Sequence, residues 1–439
     1  MKSMSKKKID LLFIVFREET PGHKDIDHLL PFLYFFKRHS NFELKSRILI
    51  LENECNYQKK IDPRINFLLN IKNLQIRFLF KNSLFLFLKK LIKFSSNINF
   101  LGKVLDKLFN KFYLNFLEIK IEKINLREKV GQVFLKSRHP LIITLHHNNK
   151  SEKIVSRIQK LNKKAKWIVI PHGTYMQVNK MVTDYDLNKF IPKKKKYLYK
   201  NVDFILKTSK WDFNDELSNG MPRNKGFVLG SPRYCQEWLK IKSNLGLDGQ
   251  KVISNKKYKI KILFFLPKKF VNIFWDELIR TVEFISNYNE IDLILLDYDS
   301  HFTRFPNKFK RRDNIRFFLI SREYSTSKLI DWADIIFHAG SSVIFEFLVK
   351  DKITVFPKYL SCNSAISDQY GAGYNLKNRD ELREFCNQAL SSLKNLKRKY
   401  KKDSKHNNKK YINDFVNGNV KSVPINIGKI LSKIINSFD

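Results

Sequence analysis

Short apolar runs recur along the chain, separated by polar segments with helical periodicity. The first set reads IDLLFIVF, SRILILEN, PLIITLHH, KWIVIPHG, VDFILKTS and GFVLGSPR, and the second reads IKILFFLPK, IDLILLDYDS, NIRFFLIS, ADIIFHAGSS and DKITVFPKYL. Runs this short, rich in Ile, Leu, Val and Phe and bounded by turn residues, are strands buried on both faces; their alternation with helices predicts parallel sheets. Residues 236–258 between the sets are polar and basic. The spacing therefore predicts an open α/β domain over 1–235, a linker over 236–258, a second α/β domain over 259–400, and a basic C-terminal tail and helix over 401–439. Helices are expected over 272–286, 324–333, 343–350 and 379–393.

Residues 83–118 interrupt the alternation. Leu84, Phe87, Leu88 and Leu91, then Leu101, Leu105, Leu108, Phe112 and Phe116, fall on helical faces opposed by lysines. Such an amphipathic insert either packs on the sheet or lies on an anionic membrane surface. No run reaches the ~18 apolar residues needed to cross a bilayer, and the apolar stretch Leu11 to Phe16 is too short for a signal core, so the protein is not expected to span a membrane.

Composition narrows the picture only partly. With 439 residues, 43% of them hydrophobic, the chain can bury more than one core, at ~100–200 residues per domain. Lys and Arg number 83 against 42 acidic residues, a formal charge of +41, which attracts nucleic acid, anionic lipid or phosphorylated substrates. The lysines are spread throughout rather than gathered, so no specific nucleic-acid partner is expected. Cys55, Cys235, Cys362 and Cys386 are scattered without metal-ligand spacing, which fits a reducing cytosol.

In open parallel sheets, ligands bind beyond the carboxyl ends of the strands. Four such ends carry suggestive residues: Pro171-His172-Gly173-Thr174, Gly230-Ser231-Pro232-Arg233, Pro267-Lys268-Lys269 and His338-Ala339-Gly340-Ser341-Ser342. The last leads into a helix, where backbone N–H groups and hydroxyls favour phosphate. His338 can donate to a diphosphate and Glu346 can accept from ribose hydroxyls; the alternative is ordinary serine capping and a solvent-facing glutamate. His172, beside a glycine, suits a general base for an acceptor hydroxyl, or else a structural imidazole. Arg233 can fork onto phosphate or lie on the surface. Asp297-Tyr298-Asp299 reads as a loop rather than a metal triplet, and His146-His147 lacks a third ligand, so no metal is expected. Gly371-Ala372-Gly373 lacks the rest of a dinucleotide fingerprint, and no cofactor is expected.

His338, Gly340 and Glu346 fall in the order and spacing that resemble the donor-site signature of GT-B glycosyltransferases, which implies diphosphate contact near His338 and a ribose contact at Glu346. Asp368-Gln369 resembles the acid–amide pair that grips the donor sugar in some of those enzymes, at a longer separation from Pro357 than usual. The PHGT, GSPR, ILFFLPKK and ADIIFHAGSSVIFEFLVKDKITVFP segments are similar, in order, to the motif series of the CDP-glycerol glycerophosphotransferase family and related surface-polysaccharide transferases; together with Asp368-Gln369 the motifs cover residues 171–369. That family has Thr-Asp-Tyr before the serine pair, where this chain has His338, Ala339 and Gly340, so the expected donor moves from CDP-glycerol towards a nucleotide sugar.

The resemblance implies a GT-B fold, α/β with two Rossmann-like domains whose parallel sheets face each other across a cleft. It implies metal-independent, inverting transfer of a sugar from a nucleotide-activated donor to a hydroxyl of a surface glycan or glycolipid. His172 would be the base, while Arg233, Lys268, His338, Ser341 and Ser342 would stabilise the diphosphate. The expected location is the cytoplasm, peripheral on the inner face of the cell membrane. The alternatives are a CDP-glycerol-type polyol-phosphate transferase, a nucleotide-sugar 2-epimerase, and a basic nucleic-acid or membrane-binding protein without chemistry.

Overall fold

The computed structural model of the protein describes residues 8–15, 24–39, 43–53, 67, 74–80, 136–145, 149–171, 173, 201–245, 257–267, 273–297, 304–319, 326–361 and 363–438. The helical insert expected over 83–118 and the pair His146-His147 lie outside these residues. A first sheet contains β1 (Lys8–Val15), β2 (Glu43–Asn53), β3 (Leu74–Phe80), β4 (Pro140–Thr144), β5 (Lys166–Val169), β6 (Phe204–Lys207) and β7 (Gly226–Val228). Its order is β3-β2-β1-β4-β5-β6-β7. A second contains β8 (Ile260–Phe265), β9 (Ile291–Asp297), β10 (Ile315–Leu319), β11 (Ile335–His338), β12 (Ile353–Pro357) and β13 (Tyr374–Leu376), in the order β10-β9-β8-β11-β12-β13. Every ladder in both sheets is parallel.

Parallel neighbours require crossovers, supplied by α1 (Lys24–His39), α2 (Asn149–Leu161) and α3 (Lys210–Ser218) in the first sheet and α5 (Trp275–Ser286), α6 (Asn307–Lys310), α7 (Thr326–Trp332), α8 (Ile344–Val349) and α9 (Ile366–Gln369) in the second; α4 (Gln236–Asn244) lies between the sheets, and α10 (Arg379–Ser391), α11 (Leu393–Phe415) and α12 (Val423–Asn436) follow the last strand. Local sequence sets several of their starts. Ser209 and Asn378 cap α3 and α10 by accepting from Asp212 N and Glu381 N, at 3.0 and 2.9 Å. Buried Leu278, Val282 and Ile285 form the inward stripe of α5.

Strand alternation divides the second sheet between two cores. Ile262 and Phe264 face a cluster with Leu278, Val282, Phe337 and Phe385. Leu263 and Phe265 face the other way, into a cluster that continues through Phe345, Phe415 and Tyr234 to Phe32, Leu141 and Ile168 around the first sheet. One apolar core therefore joins the two sheets. Residues 236–244, within the stretch expected to link them, form α4, and its buried Trp238 lies 6.0 Å from the Phe35 ring of α1.

The end of the chain returns to the first sheet. Between α11 and α12, Ser231 N donates to Val416 O at 2.6 Å. Asn426 Nδ2 donates to Val228 O and Leu229 O at 3.0 and 3.1 Å, and α12 packs against α1. The approach needs glycine. Gly230 has φ +85°, and a Cβ there would lie 2.7 Å from Val423 Cγ2 and 3.0 Å from Asn417 O. Gly230→Ala should therefore cost about 1–3 kcal/mol of stability in a denaturant titration. Gly173→Ala, whose Cβ would meet none of the described residues within 4 Å, should stay within about 0.5 kcal/mol of wild type. Equal effects would contradict this docking.

Candidate active site

In the second sheet the strand order reverses between β8 and β11, and the crevice beyond their carboxyl ends is the place where such sheets hold ligands. His338 pairs with Phe265 across that gap. Beyond β8 come Leu266 and Pro267, while Lys268 lies outside the described residues. Beyond β11 the chain turns at Gly340, φ +79°, and presents Ser341 and Ser342. Helix α8 is only six residues long and its N-cap residue, Val343, makes no side-chain cap. A phosphate here would thus be met mainly by the 339–342 loop rather than by a long helix dipole. Ser341 Oγ accepts from Val343 N at 3.4 Å.

His338 is 1% exposed, stacked on Phe356 with ring centroids 5.5 Å apart, and edge-on to Phe347. Burial lowers its pKa to about 3, so the ring is neutral at ordinary pH. Its Nδ1 accepts from Gly340 N at 3.3 Å, which places the ring proton on Nε2; that atom is buried without a partner among the described residues. The imidazole shapes the loop, and it has an N–H rather than a positive charge to offer.

Glu346 is 3% exposed. Its Oε1 accepts from Ser327 Oγ and lies 3.1 Å from Lys350 Nζ, which also bonds Asp331 Oδ1 at 2.8 Å. Burial opposes ionisation of the carboxyl, but the charges of Lys242 and Lys350 and the Ser327 hydrogen bond outweigh it and hold the pKa below the usual carboxylate range. The glutamate read as a ribose ligand is therefore engaged in an internal network. Asp368 forms an ion pair with Lys358 at 2.6 Å, and Gln369 is exposed at the end of α9.

The first sheet contributes the loop after β7. Arg233 Nη1 lies 2.7 Å from His28 Nε2, and Nη2 lies 3.6 Å from Asp27 Oδ2. A guanidinium can only donate, so His28 Nε2 accepts and its ring proton is on Nδ1. The guanidinium carbon sits 5.0 Å from the centre of the Tyr234 ring, and that ring is 5.8 Å from Phe345 of α8. The buried Tyr234 hydroxyl lies near Ser342 and Glu346, yet it completes no well-formed hydrogen bond among the described residues. Burial raises its pKa against the lowering influence of Arg233 and Ser342.

Of the residues expected from sequence, Arg233, Ser342 and Glu346 thus come together around Tyr234. Gly340 and Ser341 adjoin them in the same loop, and His338 stands behind it. Asp368 and Gln369 follow β12 beside Lys358. His172 lies outside the described residues, between Pro171 and Gly173, which line a pocket with Arg233, Ser231, Thr208 and His28. Asp297 is buried at the end of β9, with Tyr298 and Asp299 outside the described residues. Among the described residues no group of three or more His, Cys, Asp or Glu side chains is placed to hold a metal. Sequence reading missed Asp27, His28 and Tyr234. A signal existed: Asp27 and His28 open the helix after β1, and that end of a helix following a parallel strand lies at the carboxyl edge.

The burial of His338 has a measurable sign. Between its unfolded pKa near 6.5 and its folded value of about 3, the unfolded chain binds a proton that the native state does not. Its contribution is present above pH 6.5 and is lost as pH falls towards 3, by up to roughly 1.4 kcal/mol per pH unit. His338→Phe should flatten the acid side of the stability–pH curve by up to that slope. An unchanged slope in denaturant titrations from pH 6 to pH 4 would contradict a buried neutral imidazole.

No protein-family model matches the chain, and no curated protein matches it. Solved structures do. A putative UDP-N-acetylglucosamine 2-epimerase from Listeria monocytogenes aligns with a TM-score of 0.53 at 11% identity, over 99% of this chain and 97% of that one. The UDP-GlcNAc 2-epimerase of Methanocaldococcus jannaschii aligns with a TM-score of 0.51 at 14% identity, over 98% and 99%. HepE of Anabaena, solved with UDP and glucose, aligns with a TM-score of 0.50 at 11% identity, over 97% and 99%. Likeness at such identities is a likeness of fold. With two parallel sheets of doubly wound order, the protein has the GT-B fold of two Rossmann-like domains.

Proposed function

We propose that the protein is a nucleotide-sugar enzyme that binds its donor diphosphate on the 339–342 loop and transfers the sugar to a hydroxyl of a surface glycan or glycolipid. The observation that carries this reading is the loop's position. It leaves the switch point of the second sheet beside Tyr234 and Arg233 of the first. An acceptor oxygen would attack the anomeric carbon from the side opposite the diphosphate, inverting that centre. The acceptor proton would pass to a base, for which sequence nominates His172. Charge growing on the departing diphosphate would be met by the Ser341 and Ser342 hydroxyls and loop N–H groups, so no metal is required for that role. HepE, with UDP and glucose bound, supports a donor of this chemistry.

A second reading, 2-epimerisation of a UDP-sugar, is favoured by the likeness to the Listeria and Methanocaldococcus structures. The two separate by product. With UDP-GlcNAc, a transferase releases UDP in proportion to added acceptor, whereas a 2-epimerase forms the C2-inverted UDP-sugar with no acceptor present. For either reading, UDP should raise the melting temperature, and replacing Ser341 and Ser342 together by Ala should weaken UDP binding by about 10-fold or more. Failure of UDP to stabilise the wild type, or equal affinity in the double variant, would overturn the placement of the donor.

A further inference from the structure

The pocket at the carboxyl edge of the first sheet is built differently from the 339–342 loop. Apolar Phe32 and Ile170 line it together with buried Thr208 and Ser231 and with Arg233. Arg233 is held on three sides, by His28 at 2.7 Å, Asp27 at 3.6 Å and the face of Tyr234 at 5.0 Å. Its side chain keeps 20% exposure. Because His28 Nε2 accepts from the guanidinium, the imidazole restrains the arginine's orientation without adding a charge. A Cβ on the lining residue Gly173 would meet no described residue within 4 Å. A restrained guanidinium beside a buried hydroxyl, over an apolar floor, recognises an oxyanion attached to a larger body.

We propose that this pocket binds an oxyanion, phosphate or carboxylate, carried by the acceptor, and that Arg233 serves the acceptor rather than the donor diphosphate. The inference rests on the nucleotide-sugar reading for calling the second ligand an acceptor, but the pocket's preference for an oxyanion stands without it. The acceptor class is then an acidic glycan or polyol, for which a phosphodiester-linked or uronic-acid-bearing chain end qualifies.

The test is calorimetric titration of the full chain, saturated with UDP, against inorganic phosphate, glycerol 3-phosphate and glucuronate. At least one oxyanion should bind without displacing UDP. Arg233→Gln should weaken that oxyanion by about 10-fold or more while changing UDP affinity by less than about twofold. Arg233→Lys, which keeps the charge and loses the fork, should give an intermediate oxyanion affinity and guards against a folding defect in the glutamine variant. Preference between the phosphates and glucuronate identifies the anion. Competition between oxyanion and UDP, equal weakening of both in Arg233→Gln, or no binding of any oxyanion would overturn the proposal. Oxyanion binding that depends on Arg233 in a chain that does not bind UDP would instead leave the pocket standing and remove the donor reading.

Discussion

Two glycines with positive φ, Gly230 and Gly418, meet where the chain's last segment docks on the first sheet: a Cβ on Gly418 would lie 3.0 Å from Gly230 N and Thr208 O, and one on Gly230 would lie 2.7 Å from Val423 Cγ2. Through this contact the chain's last segment packs against the loop after β7, and Ser231 N is tied to Val416 O. A hydrogen bond of this kind contributes only about 0.5–1.5 kcal/mol. The bulk of the docking is apolar: Val416, Val423, Ile427 and Leu431 belong to the core cluster that also holds Tyr234 and Phe345. The glycines decide where that apolar surface lands. Residues 231–234 are thereby fixed against α8, and the residues on which the proposed chemistry depends are set by a segment that takes no part in it.

Charge around the junction is carried by a few buried or restrained side chains. His338 was expected to donate to a diphosphate; its burial keeps the ring neutral, so Nε2–H is what it offers. Positive charge comes from Arg233, restrained by Asp27 and His28, and from Lys242 and Lys350 around Glu346. Lys242 belongs to α4, in the connection between the sheets, while Glu346 and Lys350 belong to the second sheet's side. Attraction between them adds an electrostatic tie to the apolar one. Little of this follows from the total charge of +41, because lysines are spread along the whole chain.

Much of the fold was legible because buried parallel strands need unbroken apolar runs, and ILFF, LILL and DIIF have few other uses. What escaped had weaker signatures. In β3, LQIRFLF, Gln75 and Arg77 interrupt the run, and β13 has three residues after a glycine-rich turn. Helix α11 was hidden by its lysines: Leu396, Tyr400, Tyr411 and Phe415 form its buried face, but the exposed faces dominate the composition. At the site, Gly340, Ser342 and Arg233 were visible as strand-end residues. Tyr234 and His28 were not, since each acquires its meaning only from contacts with segments distant in sequence.

The location of the nucleotide is the most direct question to put to this architecture. Amide hydrogen exchange with and without saturating UDP, followed by peptide, reads it along the whole chain. A donor held at the switch point of the second sheet should slow exchange in peptides spanning 335–350 and 260–268, with smaller changes around 228–239 and none specific to 140–170. Protection confined to peptides of the first sheet would contradict it.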